Sequence, residues 1–214
     1  MAIPEPANKR ELRQFLGLAN TLAKYTSEHQ KRCSLLYKFV NHFTSKKAWT
    51  VEHSRLFLDI KKYLSNPKNV VFALDQSLPL ALYTDASEVY GPGFSGILYN
   101  IPKDGQKLQP VCLDSVHIDP NKAFLHSTTL ELGAIAWSLQ KFHHVTAGAP
   151  LIKVYCDNSS TVKILQKNIA LLSDPNHIKL VQIISRYNIQ AHHIARGDNM
   201  HADLLSKHPS IPAS

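Results

Sequence analysis

The chain has 214 residues, of which 44% are hydrophobic, and a formal net charge of +8; that is room for one sizeable domain, or for a domain of about 130–150 residues with a helical appendage. Cys33, Cys112 and Cys156 lie far apart with no C-x-x-C pair, so neither a disulfide framework nor a zinc ribbon is suggested. The N-terminal stretch Met1-Ala-Ile-Pro-Glu-Pro-Ala-Asn-Lys-Arg10 has no apolar run of the signal-peptide kind, and no segment approaches transmembrane length, so a soluble, intracellular chain is expected.

The pattern is helical at first. Asn8 reads as an N-cap, and Leu12, Phe15, Leu16, Ala19, Leu22 and Ala23 fall on one apolar stripe. A second helical stretch carries Leu35, Leu36, Phe39 and Val40. A third follows Thr50, with Leu56, Phe57, Ile60, Tyr63 and Leu64 on one face, and Asn66-Pro67 stops it. The aromatic residues Phe15, Phe39, Trp49 and Phe57 read as packing rather than as platforms for bases.

Strand signals begin at residues 69–74 and resume at 80–84, past Pro79. Gly91, Gly93 and Gly96 punctuate the next strand, which runs through Tyr99. Pro102-Lys-Asp-Gly105 reads as a hairpin turn into a strand over residues 108–117. A helix is predicted at about 128–143, a strand at 151–156, helices from Asn158 and from Pro175, a strand at 187–195 and a short helix over 202–207. The order βββαβααβα implies a mixed five-stranded sheet flanked by helices and preceded by a helical segment, with domains at 1–75 and 76–214.

Four acids stand out by context: Leu-Tyr-Thr-Asp85-Ala-Ser, Thr-Thr-Leu-Glu131-Leu-Gly, Val-Tyr-Cys-Asp157-Asn-Ser and Asn-Met-His-Ala-Asp203-Leu-Leu-Ser. Two follow strand-like runs and two lie in helical stretches. Carboxylates converging from such elements repel one another unless cations sit between them. Each acid also has a local explanation. Asp85 suits an Asx-turn with Ser87, Thr128 and Glu131 have capping-box spacing, Asp157 suits an N-cap, and Asp203 is a first-turn acid favoured by the helix dipole.

Charge is uneven: residues 1–75 carry 13 Lys/Arg against 6 Asp/Glu, and residues 76–214 carry 11 against 10. A basic surface around an acidic pocket suits a polyanionic substrate. Lys9, Arg10, Arg13, Lys31, Arg32, Lys61 and Lys62 are candidate phosphate contacts, and solvated helix faces are the alternative.

Four segments together resemble one family: Phe15-Leu-Gly-Leu-Ala-Asn20, Trp49-Thr50, Thr84-Asp85-Ala-Ser87 and Asp198-Asn-Met-His-Ala-Asp203-Leu-Leu-Ser206. It is the C-terminal part of the reverse transcriptase of LTR retroelements, gypsy-type retrotransposons and retroviral Pol, where a thumb/connection segment leads into an RNase H domain. The resemblance covers nearly the whole chain. It implies an RNase H-like fold and a metal-dependent endoribonuclease that cuts the RNA strand of RNA–DNA hybrids. Asp85, Glu131, Asp157 and Asp203 would hold two Mg²⁺ ions about 3.5–4 Å apart, with Mn²⁺ able to substitute. Asp85 would bridge both ions, Asp157 would serve the nucleophile side, and Glu131 and Asp203 the other.

Backbone groups around Ala86, Ser87 and Gly91–Gly93, with Asn158, are candidates for reading 2′-hydroxyls. Lys163 and Lys167 are a thin replacement for the basic helix that some relatives carry. The partners implied are the hybrid and a polymerase domain of the same polyprotein, with a dimer possible, inside a virus-like particle or virion core. The histidine loop of cellular relatives is shortened here to Arg196-Gly-Asp-Asn199. His193 reads as the end of a strand and His201 as a helix residue. Two other functions compete: a catalytically inactive connection module that positions template and primer, and an integrase- or resolvase-type relative. All four acids are present, against the first, and the Asn199-x-x-Ala202-Asp203 ending argues against the second.

Overall fold

Asn8 starts the first helix by chemistry visible in the sequence. Its side-chain oxygen accepts from the Glu11 N–H at 3.0 Å while the Glu11 carboxylate reaches back to the Ala7 N–H at 2.7 Å, which satisfies donors that a helix start leaves open. The computed structural model describes residues 3–22, 27–43, 48–66, 69, 72–87, 93–103, 106–118 and 126–207. The chain divides into two compact units, residues 1–72 and 73–214.

The first unit contains helices α1 (Lys9–Leu22), α2 (Ser27–Val40) and α3 (Val51–Leu64). Leu12, Phe15, Leu16 and Ala19 of α1 are buried, with Leu36 and Val40 of α2 and Phe57, Ile60 and Leu64 of α3. Leu35 departs from expectation and is 50% exposed. The inward stripe of α2 runs through Cys33, Leu36 and Val40, at helical spacing, and Leu35 lies off it. Aromatic rings fill the rest: Phe15 and Phe57 have centroids 4.5 Å apart, Phe39 stacks on His53 at 3.7 Å, and Trp49 donates to Ser54 Oγ at 2.9 Å. These rings are packing, as their spacing indicated.

The second unit is a five-stranded sheet of order β3-β2-β1-β4-β5. Its strands are β1 (Leu80–Ser87), β2 (Gly93–Asn100), β3 (Gln109–His117), β4 (Ile152–Cys156) and β5 (Ile189–His193). β1–β2 and β2–β3 pair antiparallel, and β1–β4 and β4–β5 pair parallel. Helices α4 (Ser127–Lys141), α5 (His143–Thr146), α6 (Ser159–Leu165), α7 (Pro175–Ile184) and α8 (Met200–Lys207) complete it, with a 3₁₀ turn at Ile169–Leu171. This is the mixed, helix-flanked sheet read from the sequence, with α5 and the 3₁₀ turn added.

Residues 72–74 do not join the sheet, although strand signals run over 69–74; residues 70 and 71 lie outside the described residues. The Asn100 side chain accepts from the Asp75 N–H and donates to its carbonyl, both at 3.0 Å. A side-chain amide thus satisfies the backbone of Asp75, one residue past that segment. The tip of the expected hairpin and Gly91 also lie outside the described residues.

One sheet face packs Leu80, Leu82, Leu98, Ile152 and Val154 against Leu132, Ile135 and Leu139 of α4 and Val181 and Ile184 of α7. Gly96 and Gly133 let α4 sit close. A Cβ on Gly96 would lie 2.3 Å from Ser138 Oγ, and one on Gly133 would lie 2.7 Å from the Phe94 ring. Near the sheet's end, α8 is tied down by polar bonds: Asn199 Nδ2 donates to the Thr84 carbonyl at 2.8 Å and Ser95 Oγ to the Ala202 carbonyl at 2.7 Å.

Candidate active site

β1 and β4 are parallel neighbours, in register through Tyr83 and Tyr155. Two residues beyond each of these, Asp85 and Asp157 therefore emerge side by side at the same end of the sheet. Strand alternation sends Cys156 to the opposite face, toward α4. There α4 presents Glu131, buried to 6% exposure. The ligand atoms of Glu131, Cys156 and Asp157 all lie within 4.8 Å of one another. Asp85 and Asp203 are each 4% exposed, and they stand outside this tightest group.

Each carboxylate has its own partners. Glu131 Oε1 accepts from the Ala86 N–H at 3.3 Å, and its Oε2 faces the Cys156 thiol at 3.6 Å. Asp85 Oδ2 accepts a hydrogen bond from Ser206 Oγ. Asp203 Oδ2 accepts from Lys207 Nζ at 2.6 Å, and its Oδ1, 3.5 Å from Arg196 Nη2, makes no hydrogen bond. Burial is the largest cause holding the Asp85 carboxyl above the ordinary range; the Ser206 bond opposes it, and Asp203 and Asp157 add to it. Burial likewise raises Glu131, reinforced by the charges of Asp85 and Asp157. Asp85 therefore feels Asp157 and Asp203, and Glu131 feels Asp85 and Asp157, although only Glu131 and Asp157 lie in the tight group.

Three of the four local explanations give way. Asp85 lies inside β1 opposite Ser95, not in a turn. The ring of His126, not Thr128, caps α4, so Glu131 is free to turn to the sheet. Asn158 caps α6 by accepting from the Thr161 N–H at 3.0 Å, so Asp157 is not the cap. Asp203 does stand in the first turn of α8, and the dipole favours it there as well.

The proposed hybrid contacts fare unevenly. The Ala86 N–H is taken by Glu131, Ser87 is buried, and the Asn158 oxygen is committed to its cap. Lys163 and Lys167 are exposed near α6. On α1, Arg10 and Arg13 are exposed and Lys9 is half-buried, whereas Lys61 donates to the Ile3 carbonyl at 2.6 Å and is not free for phosphate. His193 ends β5, exposed, with Nε2 3.2 Å from the Asp157 carbonyl. Sequence reasoning missed Cys156, Arg196, Ser206 and Lys207. The last two had a signal, because positions i+3 and i+4 from Asp203 on a helix lie beside it.

The donors suit a hard divalent cation: carboxylates predominate, and one buried oxygen, Asp203 Oδ1, is left without a hydrogen bond. A mixed sheet of this order, with acids in β1, just past the end of β4, on α4 and on α8, is of the RNase H-like class. Residues 49–154 match a family described as an RNase H-like domain found in reverse transcriptase, a span that ends before Asp157. The Tf2-3 transposon polyprotein of Schizosaccharomyces pombe is 26% identical over 210 residues, and the chain spans only 15% of that polyprotein's length while 95% of the chain is covered.

Among solved structures, the foamy viral protease-reverse transcriptase dRH in complex with ds DNA superposes with a TM-score of 0.62 at 23% identity, over 90% of this chain and 36% of that one. Native Prototype Foamy Virus protease-reverse transcriptase gives 0.63 at 18% identity, over 91% and 25%. These likenesses carry the fold. Residues 49–154 therefore carry an RNase H-like domain, and the matches are consistent with the C-terminal reverse-transcriptase and RNase H region of an LTR-retroelement Pol protein.

Proposed function

We propose that the chain is a metal-dependent ribonuclease H that hydrolyses the RNA strand of RNA–DNA hybrids during reverse transcription. One observation carries the reading: Asp85, Glu131 and Asp203 are buried beside Asp157, and the first two are held above their ordinary pKa range chiefly by burial, reinforced by neighbouring carboxylates. Burying uncompensated carboxylates is costly, and a fold retains such a group where a cation completes it.

Asp85, Glu131, Asp157 and Asp203 are the residues that would hold the ions. Two bound Mg²⁺ or Mn²⁺ ions supply a water that is nucleophilic at neutral pH and charge stabilisation for the leaving 3′-oxygen. The chain's own part is orientation. The Ala86 N–H fixes one Glu131 oxygen, the Cys156 thiol sits against the other, and Ser206 holds Asp85. Asn199 and Ser95 lock α8 so that Asp203 faces the strand ends. In this reading the helical unit is the thumb/connection part, and exposed cations such as Arg10 and Arg13 would meet the phosphate backbone.

The inactive connection module is a second reading, favoured by one observation: Asp203 is already neutralised by Lys207. A labelled RNA–DNA hybrid incubated with Mg²⁺, Mn²⁺ or EDTA separates the two. Cleavage with either ion and none with EDTA supports the nuclease; binding without cleavage under all three conditions overturns it.

A further inference from the structure

The buried acids of this site are met by groups of different kinds. Asp85 and Glu131 receive neutral donors: a hydroxyl on one, a peptide N–H and a thiol on the other. Asp203 is met by cations. Lys207, one helical turn on, reaches Oδ2 at 2.6 Å with a side chain only 18% exposed, and Arg196, 72% exposed, stands 3.5 Å from Oδ1. The positive charge of Lys207 also opposes the rise at Asp85, so its field reaches across the site.

We propose that Lys207, supported by Arg196, is a built-in counter-cation for Asp203 that must yield when a divalent ion binds there, so that it sets the affinity of the Asp203 side. The proposal rests on the metal-site reading above. An ammonium group at hydrogen-bond distance occupies the oxygen that an ion would take, and it repels a dication as well. Lysine suits such a role because its charge rides on a flexible four-carbon stem and can swing away without moving the backbone. The Asp203 corner is then a weaker, later-filled position than the one beside Glu131 and Asp157. In the metal-free protein, the same lysine relieves the burial of Asp203.

The test is Mn²⁺ binding by calorimetry, with thermal melting as a second readout, on the full chain without nucleic acid. Lys207→Met keeps the length of the side chain and removes its charge. It should bind Mn²⁺ more tightly, on the order of tenfold given the size of one nearby charge in a partly hydrated site, and should melt lower than wild type in EDTA. Arg196→Gln should shift affinity the same way by less. In an Asp203→Asn background, Lys207→Met should no longer change affinity, because the coupling runs through that carboxylate. Wild-type protein that binds no Mn²⁺ would refute the metal site itself. Wild type that binds while Lys207→Met binds equally or more weakly overturns the counter-cation and leaves the metal site standing. If Lys207→Met does not fold, the exposed Arg196→Gln decides, and unchanged affinity overturns the proposal.

Discussion

The two units of this chain solve the problem of folding with opposite chemistry. Among the described residues, every buried polar or charged side chain belongs to residues 73–214, whereas the buried side chains of the helical unit are apolar and aromatic. The helical unit ties its polar groups up through local caps at Asn8 and Thr50 and through Lys61 on the Ile3 carbonyl, 58 residues away in sequence. The sheet unit instead buries three carboxylates at one end of its strands. A region that carries only structure has no reason to keep such groups, since apolar residues in the same space are commonly as stabilising or more so. In the proposed reading, the contrast assigns the chemistry to one unit and leaves packing or nucleic-acid grip to the other.

The sharpest way to break this contrast is at the acids. Asp85→Asn or Asp157→Asn is expected to reduce hybrid cleavage by on the order of a hundredfold or more, with hybrid binding intact or improved because negative charge near phosphate has gone. Asp85→Asn should also raise the melting temperature of the metal-free protein. Cleavage at near wild-type rate in clean preparations of Asp85→Asn would sink the assignment.

Next in size is the scaffold beneath Glu131. Gly96→Ala places a methyl 2.3 Å from Ser138 Oγ and 2.8 Å from its Cβ, which α4 has to accommodate by moving off the sheet. Overpacking of that kind costs about 1–3 kcal/mol, measurable by denaturant titration, with a fall in cleavage because α4 carries Glu131. Unchanged stability would mean that α4 does not sit as close to β2 as described.

A smaller effect is expected with pH. Asp85 and Glu131 are raised in the folded protein, chiefly by burial. The folded state therefore holds protons in a window where the unfolded chain has released them. Stability contributed by these groups is present below the ordinary carboxylate range and is lost as pH rises through the raised values. Melting in EDTA should fall across that window, and Mg²⁺ or Mn²⁺ should flatten the curve by favouring the charged forms. A melting temperature that rises with pH in EDTA would contradict the assigned burial.

The smallest effect concerns the helical unit. Each phosphate neutralised adds roughly −0.9 to the slope of log affinity against log salt for duplex DNA. If Lys9, Arg10 and Arg13 touch phosphate, the full chain should be steeper than residues 73–214 by about two to three units. Equal slopes would reduce the first unit to packing and its charge to solubility.

Much of the site was legible in the sequence because strand and helix periodicities are local. Asp85 and Asp157 follow apolar runs that became adjacent strands, Glu131 lies in a helix whose apolar residues face the sheet, and Asp203 opens the last helix. Alternation could also have sent Cys156 toward Glu131, since neighbours on a strand face opposite ways. The capping-box spacing of Thr128 and Glu131 misled, because a histidine ring took the cap and left the glutamate to a partner 45 residues away in sequence, the Ala86 N–H. Residues 69–74 also misled: their composition favours a strand, but the described residues 72–74 join no strand, and the Asn100 side chain holds the backbone of Asp75 just beyond them.

By itself, then, the sequence determined the order of elements, the five strands, the cap residue Asn8, the helix starts after Thr50 and at Asn158, and the identity of the acids. All of these follow from spacing along a few consecutive residues. The Lys207 ammonium beside Asp203 also follows from i,i+4 spacing, whereas only the tertiary structure decided the hydroxyl for Asp85 and the peptide and thiol for Glu131. Those partners come together through strand pairing and helix docking across up to 121 positions of chain, and no local periodicity encodes such distances. The protonation of the site is therefore a property of the fold, set by burial and by which neighbour arrives, while the presence of its carboxylates is a property of the chain.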